Sequence, residues 1–260
     1  MFNSYIFLKQ LKGKWLFILV VNLIIILLSI LVVFVLNTPL DKNKPTPDIS
    51  TVDAALSQIM ENQFALALLV SGCVLSSFFI VREIYTCSMT YIICSPVSRT
   101  TIISTKIIFM LFSILFGYIV NLIIVSPCVA LTSKDTGFTI ENYIFKLTGL
   151  YIFGLLLSAI PFFAAVATKT STMAYVFGIG IPVAFNVAYI ISLVSSDMNF
   201  LKYITFYTLF INPLMEDKNA WNAEIPPASK WVAHYLVLFI GSAGLYIGSA
   251  IVFKHKDLQL

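Results

Sequence analysis

Six long apolar runs alternate with polar breaks along this chain: residues 15–36, 64–81, 107–131, 147–167, 173–194 and 231–253. None of them contains Asp, Glu, Lys or Arg. At 1.5 Å per residue even the shortest, 64–81, reaches about 27 Å, enough to cross the hydrocarbon of a bilayer. The pattern predicts an all-α membrane protein with six transmembrane helices, forming a single transmembrane domain over residues 1–260. Backbone polar groups facing lipid must be satisfied within the segment, and a helix does this.

The breaks carry their own pattern. Residues 1–14 place Phe2, Tyr5, Ile6, Leu8 and Leu11 beside Lys9, Lys12 and Lys14, which predicts a basic amphipathic helix at the membrane interface ahead of the first span. Residues 37–63 are polar and contain Pro39, Pro45 and Pro47, as an exposed loop would. The turn at 168–172 is very short. Residues 200–214 are apolar and aromatic but interrupted by Lys202 and by Asn212-Pro213. That is too broken for a span and predicts a re-entrant or interfacial hairpin between the fifth and sixth helices.

Composition agrees that lipid is the solvent: 59% of the 260 residues are hydrophobic and 11% charged, against about 25% charged in soluble domains. Charge sets the orientation. The segments 1–14, 82–106, 168–172 and 254–260 hold 9 Lys/Arg and 2 Asp/Glu; the loops 37–63, 132–146 and 195–230 hold 7 Lys/Arg and 10 Asp/Glu. By the positive-inside rule both termini are cytoplasmic. The net charge of +4 sits in these short loops and needs no nucleic-acid partner. The four cysteines fall in apolar runs or in the 82–106 segment, so no disulfide is expected.

Catalytic signatures are missing. There is no HExxH, GxSxG or GxxxxGK[ST], no paired acidic motif and no metal-type spacing, so the chain is not expected to act as an enzyme or to hold a metal or ATP by itself. The uncharged spans argue against an ion-coupled carrier, which keeps ionisable groups at mid-membrane. The spans do hold small residues, Gly72 with Ser76 and Gly244 with Gly248, which permit close helix packing. They also hold the amides of Asn22, Asn121 and Asn186. These either hydrogen-bond between helices or, with Ser76 and Phe206, line a substrate pathway.

The polar chemistry concentrates in residues 82–106, REIYTCSMTYIICSPVSRTTIISTK. Residues 84–94 contain no Pro or Gly and read as a short helix. Pro96 ends it, and Ser98 can cap the helix that runs on into the third span. Ile84, Cys87, Tyr91 and Cys94 share a face. With both ends tied to spans, this helix lies across the membrane face, where it either docks into a partner or rests as a solvated connector. Tyr91 and Ile92 stand near its exposed middle, in reach of a partner groove. Glu83 and Arg99, at opposite ends of the connector, are expected to pair.

Glu83, the turn Ser95-Pro96-Val97-Ser98-Arg99 and Lys106, seven residues after the arginine, resemble the connector of ABC-2 type transporter permeases. In that family an acidic residue opens the loop between the second and third spans, and a Thr/Ser-Pro-x-Ser-Arg turn and a lysine follow. The family's central Gly-Thr is replaced here by Cys87-Ser88. The whole topology, including the apolar hairpin before the last span, is also similar to that family, and the short chain looks most like its bacterial peptide, lantibiotic-immunity and antibiotic exporters, such as those for phenol-soluble modulins. The resemblance implies a multi-pass permease of the bacterial plasma membrane that pairs with a second permease chain, identical or similar. Two copies of a separate ATPase subunit would carry ATP and Mg²⁺. Glu83, Tyr91, Ile92, Pro96, Ser98, Arg99 and Lys106 would couple that ATPase to the export of hydrophobic or amphipathic cargo. The competing class is a non-transporting membrane subunit, a peptide sensor or immunity scaffold.

The topology has a direct test. In a cysteine-free background, single cysteines at Ser50 and Ser229 react with membrane-impermeant thiol reagents on intact cells, and one at Thr100 does not. Labelling of Thr100 from outside overturns the orientation.

Overall fold

The computed structural model describes residues 2–37, 81, 83, 97–136, 140–194, 196–210 and 228–256. Within them the backbone is helical and holds no strand. The elements are α1 (Ser4–Asn37), α2 (Arg99–Thr136), α3 (Ile140–Ala167), α4 (Ser171–Val194), a 3-10 stretch (Ser196–Tyr203) and α5 (Ala228–His255). Each α-helix includes a segment long and apolar enough to cross a membrane, five in all. They coincide with five of the six predicted runs. The sixth, 64–81, lies outside the described residues except for Val81, which is buried in a core with Ile102, Ile103 and Phe109 of α2.

Residues 4–14 are not a helix apart from the first span. They form one 34-residue helix with it, about 51 Å long. Gly13 is the only helix breaker there, its Cα faces open space, and one glycine disfavours a helix by only about 1 kcal/mol relative to Ala. The start of α1 packs along α2: the Asn3 amide donates to Thr105 Oγ1 at 3.2 Å, and Phe7 meets the edges of Phe109 and Phe112 at 5.5 Å. Asn3 also caps α1, accepting from the Tyr5 and Ile6 amides through Oδ1.

α3 is the centre. In its span 72% of the most apolar stretch is buried, against 22–33% in the other four helices. Its sequence allows this because Gly149, Gly154, Ser158, Ala159, Ala164 and Ala165 leave room for neighbours between the bulky Leu and Phe residues. Gly149 lies under the Tyr235 ring of α5; a Cβ there would sit 2.2 Å from the tyrosine oxygen. Ser158 and Tyr246 of α5 share a hydrogen bond at 2.8 Å. On the α4 side, Gly178 touches Pro161: an added Cβ would come within 2.9 Å of the proline Cβ and 3.0 Å of its Cα. α1 and α2 are equally close where Gly117 faces the Asn22 side chain. Membrane helices gain little from hydrophobic association, so such close contacts, with a few interhelical hydrogen bonds, hold the bundle.

The helices α3, α4 and α5 and the segment before α5 share an aromatic core. Phe153 stacks on Phe210 at 5.1 Å and meets the edge of Tyr207 at 5.0 Å. Phe206 packs against Phe153, Phe185 and Tyr207. The described part of the predicted hairpin, residues 200–210, is thus anchored into the bundle by its aromatic side chains.

Two glycines of α4 separate packing from helix propensity. Gly178→Ala must push against a rigid ring and backbone, and should destabilise the protein by about 1–3 kcal/mol. Gly180→Ala, with nothing within 4 Å of the new methyl, should be neutral or slightly stabilising. Thermal unfolding of the two variants in the same detergent checks this.

Candidate functional site

One end of the bundle collects the charged residues of the breaks. The start of α1, Glu83, the start of α2, the α3–α4 turn and the end of α5 meet there. Ser98 begins α2 as its N-cap, accepting from the Thr101 amide through Oγ at 3.3 Å and from the Ile102 amide through its carbonyl at 3.1 Å. This fixes the phase of α2, and with it the directions of Arg99 and Lys106, two turns apart.

Lys106 points inward and is 2% exposed. Its ammonium meets one oxygen of Glu83, and Lys14 from α1 meets the other. The Glu83 and Lys14 side chains are 18% and 13% exposed. Burial alone would raise the Glu83 pKa; the Lys106 and Lys14 ammonium groups more than offset this, and the carboxyl titrates below the usual glutamate range. Three chain segments far apart in sequence are thereby joined at one carboxylate.

The pair expected between Glu83 and Arg99 does not form. Glu83 lies level with Lys106, and seven residues of helix place Arg99 about 10 Å farther along the axis. The Arg99 guanidinium instead donates to the Lys256 carbonyl at 3.0 Å. Lys256 in turn donates through Nζ to the carbonyls of Val166 and Thr168 at 2.8 and 2.6 Å, oxygens that the end of α3 leaves without helical donors. Burial lowers the Lys256 pKa from the ordinary lysine value.

The remaining candidates fall elsewhere. Ser76, Tyr91, Ile92 and Pro96 lie outside the described residues. Asn121 is buried between α2 and α3 and accepts from the Tyr143 hydroxyl at 2.9 Å. Asn186 is buried on α4, and Phe206 belongs to the aromatic core. Asn22 donates to the Ile18 carbonyl of its own helix at 2.7 Å. Among the described residues no three His, Cys, Asp or Glu side chains gather as a metal ion would require.

Lys14 and Lys256 were not singled out from the sequence. For Lys14 a signal was present. The inward side of α1 runs through Ile6, Gln10, Lys14, Ile18, Asn22 and Ile25, at intervals of four and then three residues, whereas Lys9 and Lys12 are exposed. In a helix surrounded by lipid, polar residues on one stripe mark the face toward the protein. Lys256 had no such signal, because the α3 groups it holds, Val166 and Thr168, are reached at their backbone carbonyls.

Fold and site together define a polytopic helical membrane protein with an ion-paired cluster at one end. Comparison with protein-family models finds no match, and no curated protein matches the chain.

The cluster makes a stability prediction. Glu83→Gln removes the carboxylate that the buried Lys106 ammonium meets and should destabilise the protein by roughly 3–5 kcal/mol; Lys106→Met, which leaves Glu83 paired with Lys14, should cost less. The pH dependence follows from the depressed carboxyl. Glu83 contributes fully above its unfolded value of 4.5, and the contribution disappears as pH falls through the lower folded value. The difference in thermal unfolding between wild type and Glu83→Gln should therefore be constant near neutrality and shrink below about pH 4.5.

Proposed function

We propose that the chain is a permease subunit of an ATP-driven ABC-2 type exporter in the bacterial plasma membrane. It would move hydrophobic or amphipathic cargo (a peptide, bacteriocin or antibiotic) out of the cell. Residues 64–81 supply the second of six spans in this reading, both termini are cytoplasmic, and the 200–214 segment closes the outer end of the pathway. A second permease chain and two separate ATPase subunits complete the transporter, and ATP and Mg²⁺ are bound by the ATPases.

The observation that supports the reading is the contact between Glu83 and Lys106. These residues bracket the connector, and their ion pair, shared with Lys14, pins both ends of it to α1 and α2. A force applied to residues 84–96 from outside the membrane then enters two spanning helices at once. An untethered loop would absorb the same force in its own flexibility. The uncharged spans suit cargo that enters from the inner leaflet or the cytoplasm.

Reconstitution with the partner ATPase tests this. Tyr91→Ala should weaken ATPase binding by about tenfold or more, as the loss of an aromatic anchor does. The variant Lys106→Met, in which Glu83 keeps Lys14 but loses its tie to α2, should fold, retain the ATPase and lose cargo-stimulated turnover. A wild-type complex that binds an ATPase and cargo but exports nothing would identify a non-transporting sensor or immunity scaffold. A Tyr91→Ala complex with unchanged affinity and turnover would remove the connector from the interface.

A further inference from the structure

The bonds around Lys256 join α2, the end of α5 and the α3–α4 turn. Arg99, the first residue of α2, holds the Lys256 carbonyl at 3.0 Å. The Lys256 ammonium holds the carbonyls of Val166 and Thr168 at 2.8 and 2.6 Å. Phe253, three residues earlier, is fully buried in the same core as Ile102, Ile103 and Val166, so the end of α5 cannot slide away from α2 and α3. Beyond Val166 the turn to α4 is short. Thr168 closes α3 by donating its amide and its hydroxyl to the Ala164 carbonyl. Thr170 opens α4 by accepting from the Met173 and Ala174 amides. Movement of this turn therefore moves the central helix and the peripheral helix together.

We infer that Lys256 is a positioning residue, and that Arg99 and Lys256 form a clasp carrying displacement from the start of α2 to the α3–α4 turn. The transmission role rests on the reading of residues 82–106 as a coupling connector; the mechanical link does not. A lysine suits the task because its flexible stem brings three donors to adjacent carbonyls, and helix C-termini attract cations. A lysine that only capped α3 would show the same two bonds but would leave α2 indifferent to its loss. The clasp makes the two ends respond together.

The experiment uses full-length protein in lipid nanodiscs, as wild type, Lys256→Met and Lys256→Arg, with amide hydrogen exchange as the first readout. In Lys256→Met, exchange should rise several-fold at residues 164–174 and also at 98–105, and Lys256→Arg should restore protection at both. A rise confined to 164–174 overturns the clasp and leaves a simple cap. The second readout is turnover of the complex with its ATPase. Cargo stimulation should fall several-fold in Lys256→Met, with basal hydrolysis kept, and return in Lys256→Arg. Normal stimulation in Lys256→Met overturns the transmission role while leaving the connector reading intact. If wild type binds no ATPase, the connector reading fails, and the paired rise in exchange still decides whether the two ends are linked.

Discussion

One carboxylate held between two ammonium groups organises the charged end of this protein. Glu83 has Lys106 on one oxygen and Lys14 on the other, and each cation comes from a different helix. Such an arrangement adds little net stability over an apolar replacement, because desolvation offsets the attraction. What it does supply is uniqueness: if α1 or α2 rotates or slides by one residue, a buried ammonium loses its only nearby carboxylate among the described residues. The ion pairs therefore fix the phase of α1 against α2 and hold Glu83 between them.

Around that end the bundle depends on small residues more than on large ones. Lipid is as apolar as leucine, so burying leucine does little to draw two membrane helices together. Contacts at Gly117, Gly149 and Gly178 bring backbones close enough for dispersion forces and for hydrogen bonds such as Ser158–Tyr246 to act. α3 takes part in two of these three contacts, through Gly149 and through Pro161 against Gly178, and it lies in the middle while α4 and α5 expose broad apolar faces. Gly244, by contrast, has open space around it, and Gly248 meets only the Phe163 ring at ordinary contact distance among the described residues.

The two polar clusters differ in how they connect the molecule. The Glu83 cluster binds side chain to side chain and joins the connector's ends to α1 and α2. The Lys256 cluster binds side chain to backbone and joins α2 to the α3–α4 turn. They lie on the same helix, two turns apart, so α2 is the element common to both. In the proposed transporter this makes α2 the lever: its outer turn is tied to the core's central helix, and its next turns are tied to α1.

Much of this was legible in the residues. The uncharged apolar runs marked the five helices that are long and apolar enough to cross a membrane. Ser98 after Pro96 determined where α2 begins, because a cap hydroxyl needs no tertiary partner. Spacing along one helix also marked the Gln10–Lys14–Asn22 stripe of α1 as a protein-facing side. The continuity of α1 through Gly13, the choice of Lys106 and Lys14 over Arg99 as partners of Glu83, and the placement of Lys256 were decided only by tertiary structure. Charge complementarity allows several pairings, and helix rise and the level at which segments meet select one of them. A lysine's bond to a carbonyl oxygen leaves no trace in the sequence, since every residue carries that acceptor.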